Sequence, residues 1–447
     1  MSQISVSGAH GHENGHSHAA GGGHHGHGAP ADLSPVNTTV PVGWGKGAMG
    51  ALLLVGVACL GATAAYPFIT GGDEAHKTDA IKHAFGSYHV GFVYTLTIML
   101  GALVLLLVMR ATQAGWITTL RRQIENIVGL MPVQILFVVP VLFAGTYLFK
   151  WMKPALVHSD PVLEEKHGYL NAPFFMVRLA IYFVVWIYLA LRMWGYSRRQ
   201  DETGEKALTN AAQRTSMWGL LAFAITTAFA SFDLVKSLDY HWFSTMFGVY
   251  FFAGSMLSGI AMTILICCAL RGSGRLKGLV TEEHFHDMGK LLFSLNIFWT
   301  YVAFSQYFLY WYADIPEETA WIVVRQHNGW QNIFWILVFG HFIAPLVILL
   351  FRGVKRSTFA LGFMAVWLLA MHLLDIFWLI RPITFMEHGR GVQEIPGMIG
   401  FAWVDITGIA GPLCVVIALL VWKIGRSPLI PMRDPRLGEA TDHKNYV

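Results

Sequence analysis

From Trp44 onward the chain alternates between long apolar runs and short polar connections. About ten of these runs are long enough to cross a ~30 Å hydrocarbon layer as helices of ~20 residues. They fall near 47–70, 87–110, 129–150, 171–194, 216–236, 244–270, 288–312, 328–351, 358–380 and 400–424. The third is preceded by WITTLRRQIENIVGLM, whose pattern predicts an amphipathic segment lying along the membrane interface. A transmembrane β-barrel is excluded, because its strands are about ten residues long and alternate in polarity. The expected fold class is therefore all-α: a polytopic membrane protein with a ten-span domain over 46–426.

Residues 1–45 break this pattern. They are rich in Gly, His, Ala and Pro, and include His10, His12, His16, His18, His24, His25 and His27. Such a segment buries too little apolar surface to order itself, which predicts a disordered tail. Metal chelation or tethering of a partner is the functional alternative. The segment has no h-region or cleavage site of a signal peptide. Residues 427–447 form a polar C-terminal tail.

Composition sharpens the class. Only 13% of the 447 residues are charged, against about 25% in a soluble domain. Cys59, Cys267, Cys268 and Cys414 form no C-x-x-C pair and read as small packing residues in apolar runs. Lys and Arg number 21 on the side that holds both termini and 9 on the other, with Arg178 inside a span. By the positive-inside rule both termini are expected in the cytoplasm. No nucleotide-binding loop is present, and nothing points to nucleic acid; membrane lipids are the surroundings the pattern implies.

A charge at the centre of a span costs at least ~2.5–3.5 kcal/mol, so each needs a partner, a cavity or a task. Arg178 lies in span four and Asp233 near the outer end of span five. His372 and Asp375 lie in the outer half of span nine, Asp405 is near the start of span ten, and His89 is at the entrance of span two. His341 is near mid-membrane on span eight. The turn between spans five and six adds Lys236, Asp239 and His241. The spacing His372-x-x-Asp375 places both side chains on one helix face, close enough to interact. Arg178, Asp233, Asp239, His241, His341, His372, Asp375 and Asp405 are thus candidates for a proton path, because burial and neighbours move the pKa of such groups.

Each has a structural alternative. His341 reads as a packed, hydrogen-bonded histidine, Arg178 as half of an ion pair, Asp239 and His241 as a hydrated cap, and Lys236 as a snorkelling side chain. Ser294, Asn296, Thr300, Ser305 and Gln306 on span seven, with Ser258 and Thr263 on span six, can hold water but form no continuous wire. Paired haem ligands are missing, since His341 and His372 lie at different depths, and no metal site is expected.

Two stretches carry a resemblance: SFDLVKSLDYHWFSTMFGVYFFAGS, and HDMGKLLFSLNIFWTYVAFSQYFLYWYADIPEET at 286–319. With the ten-span plan they resemble the second large membrane subunit ("quinone-binding subunit 2") of bacterial alternative complex III, a quinol:electron-acceptor oxidoreductase of respiratory or photosynthetic chains. The resemblance implies two four-helix bundles with two additional helices, akin to membrane subunits of the polysulfide reductase/NrfD type. It implies a place in the bacterial inner membrane beside a homologous ten-span quinol-binding subunit, an iron–sulfur protein and c-type cytochromes. Haem c and iron–sulfur clusters then belong to the partners, and quinone or quinol is the one ligand left open for this chain. The implied role is accessory, supporting quinol oxidation and conducting protons out through the acidic turn. A static scaffold is the second reading. An independent secondary transporter is the third, although Pro132, Pro140 and Pro345 do not form the matched helix breaks expected of one.

Overall fold

The computed structural model describes residues 32–41, 43–384 and 400–444. The seven N-terminal histidines lie outside the described residues. Within those residues there is no β-strand, and nine helices are long and apolar enough to cross a membrane. The protein is an all-α polytopic membrane protein.

The long helices are α1 (Lys46–Thr70), α2 (Glu74–Ala111), α3 (Thr118–Phe143), α4 (Ala172–Thr203), α5 (Lys206–Leu234), α6 (Phe247–Gly272), α7 (Glu282–Ala313), α8 (Trp330–Leu350), α9 (Thr358–Thr384) and α10 (Trp403–Ile424). Helix α7 is the one that falls short of membrane-like hydropathy. Ser294, Asn296, Thr300, Ser305 and Gln306 dilute its apolar run, although its 32 residues reach about 48 Å.

Helix α2 is the hub. It packs against α1, α3, α5, α6, α9 and α10. From Gly86 to Leu107 all its side chains are buried, as expected of a helix apolar on every face. Its close approach to α6 depends on two glycines. A Cβ on Gly101 would lie 1.7 Å from the Ser255 carbonyl oxygen, and one on Gly259 would lie 2.4 Å from the Gly101 carbonyl carbon. Any side chain there would force the backbones apart. Around the hub, α2–α5 form one four-helix group and α6–α9 a second, while α10 pairs with α1 against α2.

The amphipathic stretch does not lie along an exposed interface. Its helical turns, Thr118–Val128, are buried throughout and form the first half of α3, before a break at Met131–Val133 that contains Pro132. Its polar face is covered by the C-terminal segment, to which Arg121 donates at Asp434 (2.6 Å) and Gln123 at the Leu429 carbonyl (2.7 Å). Part of the expected N-terminal tail is also structured. Residues Pro35–Thr38 form a short helix; the Leu276 amide donates to Asn37 O (3.1 Å) and the Leu429 amide to Thr38 O (2.7 Å). These contacts gather both ends of the described chain at one end of the bundle, here called the near end.

Candidate functional site

Between α6, α7, α8 and α9 is a cavity of about 560 Å³, walled by Tyr250, Trp299, Trp321, Phe334, Leu337 and Trp378 among other apolar and aromatic residues. Tyr301 and Phe304, also in its lining, are 65% and 61% exposed, so the cavity opens on the flank that faces lipid. Tyr250 donates its hydroxyl proton to Asp375, and both are buried. The Trp299 indole N–H is oriented to the same pair without closing a hydrogen bond. No ion pair reaches Asp375 among the described residues.

Trp299 also stacks on His341, with ring centroids 3.8 Å apart. Neither ring nitrogen of the fully buried His341 has a hydrogen-bond partner among the described residues, and neither does the Asn296 side chain one turn along α7. His341 was expected to be hydrogen-bonded, and its backbone explains the difference. Pro345 has no N–H to offer the carbonyl four residues back, which is that of His341. Residues Leu337–Ile343 adopt a π-helical turn instead, with the Ala344 amide bonded to Phe339 O, and this re-aims the imidazole at Trp299.

His372 and Asp375 share a face of α9 but do not bond to each other. The His372 Nε2 is 3.0 Å from the Thr97 hydroxyl on α2, which itself donates to the Tyr94 carbonyl, so His372 is the donor. Its Nδ1 has no hydrogen-bond partner among the described residues. Gly254 makes room for the ring, since a Cβ there would lie 2.8 Å from His372 Cε1.

The other two candidate aspartates buried in the helices, Asp233 and Asp405, are closed ion pairs. Arg178 holds Asp233 with Nε at 2.9 Å and Nη2 at 2.8 Å, the Tyr182 hydroxyl adds a bond at 2.8 Å, and the guanidinium lies over the Tyr169 ring. Nearby, His89 Nε2 donates to the Leu234 carbonyl at 2.7 Å. Asp405 pairs with Arg381 at 2.9 Å and accepts from Ser87 at 2.6 Å, with His83 Nε2 at 3.0 Å and the Ala402 amide at 3.0 Å. These two pairs and the Asp375 group are three separate arrangements; among the described residues no hydrogen bond or ion pair joins them into one chain of groups.

Asp239 and His241 sit in the turn between α5 and α6, at the far end of the bundle from the near end defined above, half-buried and exposed respectively. His241 Nε2 meets Asp160 at 2.7 Å, and the Tyr240 hydroxyl donates to the same oxygen at 2.8 Å. Burial would raise the Asp160 carboxyl, but the Tyr240 hydroxyl and His241 hold it below the usual carboxylate range.

Sequence reasoning missed Tyr250, Trp299, Arg381, His83 and Arg325. Tyr250 lies inside the SFDLVKSLDYHWFSTMFGVYFFAGS stretch but reads there as one aromatic among many. Arg325, counted only as a loop charge, is fully buried and stacks over Trp321 at 3.5 Å. It donates to the carbonyls of Trp321 (2.7 Å), Trp378 (3.1 Å) and Leu379 (2.8 Å). Pro382 is the sequence signal: lacking an N–H, it leaves the Trp378 carbonyl without its helical partner. A buried network at the near end was missed as well, in which Arg110, Arg121 and Arg122 meet Glu125, Asp201 and Asp434.

Comparison with known protein families and with curated proteins returned no match. Among the described residues no three His, Cys, Asp or Glu side chains come together as metal ligands. What the site offers is acid–base chemistry: a buried carboxyl held by a phenol, and an imidazole with free nitrogens on the other side of an indole. Such groups hold protons and exchange them through water.

Proposed function

We propose that this chain is a membrane subunit of a quinol:electron-acceptor oxidoreductase of the alternative complex III type, supporting quinol oxidation and conducting protons through the Asp375–Tyr250–His341 region. One observation carries the reading: among the described residues, a buried aspartate bonded to a tyrosine hydroxyl and facing no cation, beside a buried histidine whose two ring nitrogens have no hydrogen-bond partner. Ionisable groups kept unpaired among membrane helices mark proton or ion routes far more often than they mark packing. The two long sequence stretches, one of which contains Tyr250 and the other Asn296 and Trp299, supply the resemblance to that complex. The Lys and Arg bias supports cytoplasmic termini in a bacterial inner membrane, which sets the far-end turn with Asp239 and His241 on the side where quinol oxidation releases protons. In this reading, electrons travel through haem c and iron–sulfur clusters of partner subunits.

A scaffold role for part of the molecule has its own support. Arg178–Asp233 and Arg381–Asp405 are closed pairs with satisfied oxygens, suited to fixing helix positions. Of the eight candidate residues, Asp375 and His341 therefore carry the proton role, and Arg178, Asp233 and Asp405 the structural one. The test is Asp375→Asn in the complex purified from its own membrane. Lost turnover or proton release with normal assembly supports conduction. Normal turnover and proton release in assembled complex would refute it, and loss of assembly alone would leave Asp375 a scaffold residue.

A further inference from the structure

The cavity beside Asp375 is not needed to hold a proton, and its lining has a chemistry of its own. Its volume of about 560 Å³ falls in the ~300–1,000 Å³ range of small-ligand sites and is too small for a partner helix about 10 Å across. The walls are aromatic and uncharged. The mouth is on the lipid flank, at Tyr301, Phe304 and Ile343, while the floor at Tyr250, Trp299 and Leu337 is buried. Two donors in the lining, the indole N–H groups of Trp299 and Trp378, are buried and without a hydrogen-bond partner among the described residues. Buried donors are rarely left so, and a ligand oxygen would satisfy one.

The charge around the site narrows the ligand. The connection that follows α7 carries Asp314, Glu317 and Glu318, and its one arginine, Arg325, is fully buried on backbone carbonyls. A phospholipid headgroup at this connection would thus meet carboxylates, with its one arginine out of reach. A neutral amphiphile with oxygen acceptors on a flat ring fits better, since aromatic walls favour stacking with such a ring.

We propose that this cavity binds a neutral, membrane-dissolved ring compound bearing carbonyl or hydroxyl oxygens, the chemistry of a quinone, entering sideways from the bilayer between α7 and α8. Arg325 is its positioning residue: the three carbonyls it holds belong to Trp321, Trp378 and Leu379, all of which line the cavity. The choice of a quinone rests on the function proposed above; the shape, neutrality and donors do not.

The experiment uses the full chain in phospholipid nanodiscs, titrated with a short-tailed benzoquinone while tryptophan fluorescence is read. A matched alkylbenzene without oxygens is the control, with occupancy of both probes read by native mass spectrometry. Saturable one-to-one binding of the quinone is expected, with weaker binding of the hydrocarbon. Trp378→Phe, which removes the N–H and keeps an aromatic but smaller ring, should weaken quinone binding about fivefold more than it weakens hydrocarbon binding, the worth of about one hydrogen bond. Ala303→Trp, which fills the cavity from its α7 wall, should abolish binding; if it does not fold, Trp378→Phe alone decides. Equal affinity for both probes, or a retained phospholipid that the quinone does not displace, would overturn the proposal. That failure is separable from the proton role, because Asp375→Asn turnover is read in the complex without any added probe.

Discussion

The two four-helix groups each bury an aspartate on their last helix, and they treat it in opposite ways. In α2–α5, Asp233 is gripped by Arg178 through two hydrogen bonds and by a tyrosine through a third. In α6–α9, Asp375 has a tyrosine hydroxyl and, among the described residues, no paired cation, next to an aromatic-walled cavity. A bidentate pair fixes the charge of both partners and resists proton exchange. A carboxyl facing only neutral donors can change protonation without abandoning a partner charge. The same residue type, at a similar burial, is thus an ion-paired rivet in one bundle and, in the function proposed above, an exchangeable site in the other. The difference is set by which neighbouring helix supplies the facing side chain.

Substitutions can break this comparison, and the largest effect is expected at Asp375. In the assembled complex Asp375→Asn should reduce proton-coupled turnover about 100-fold, the usual scale of a lost acid–base group, while shifting stability by less than about 1 kcal/mol. Proton release per electron, measured beside thermal unfolding, separates the two. The mirror experiment is Arg178→Leu, which strands Asp233 as an unpaired buried charge. It should destabilise the protein by about 3–5 kcal/mol, and adding Asp233→Leu should recover most of that. If Arg178→Leu left thermal stability unchanged but halted proton release, the two aspartates would have exchanged roles.

A smaller effect is expected from Arg325→Met. Three carbonyls lose a donor, and the Trp378 carbonyl cannot recover one because Pro382 lacks an N–H, so about 2–3 kcal/mol of stability should be lost. Detergent-phase unfolding measures it, and a red shift in tryptophan emission should accompany loosening of the cavity wall.

The smallest effect is a pH dependence at the near end. Burial pushes the Asp434 carboxyl up, but Arg121, the Arg436 amide and Arg110 beside it hold it below the usual carboxylate range. A depressed carboxyl stabilises the fold above its unfolded value, near pH 4, and that contribution is lost as pH falls through the lower folded value. Asp434→Asn should therefore flatten the acid limb of a stability–pH profile below about pH 4 and leave the neutral plateau slightly lowered. An unchanged acid limb would mean that other carboxylates dominate it.

The fold was legible where it depends on the chain locally. Ten apolar runs gave ten long helices, because spanning length and hydropathy are properties of consecutive residues. Even the tenth, α7, was visible, although its polar residues place it below the other nine. Positions of Arg178, Asp233, His372, Asp375 and Asp405 on these helices could also be read, since burying an ionisable group is conspicuous in an apolar run. The buried first half of α3 was not legible. Its charges match an interfacial helix until the C-terminal segment returns with Asp434 to cover them.

What the sequence determined by itself is the class of molecule, the extent of its helices and the residues that must find partners. Which partner each one finds was decided only by tertiary packing. Asp233 meets Arg178 across 55 residues, Asp375 meets Tyr250 across 125, and Asp434 meets Arg121 across 313. The i, i+3 spacing put His372 and Asp375 on one face, yet neighbouring helices offered Thr97 and Tyr250 instead, and each side chain took the nearer donor or acceptor. Hydropathy acts along the chain, whereas hydrogen bonds and ion pairs form wherever helices meet, and helix contacts such as the Gly101–Gly259 crossing are set by shape that no single run contains.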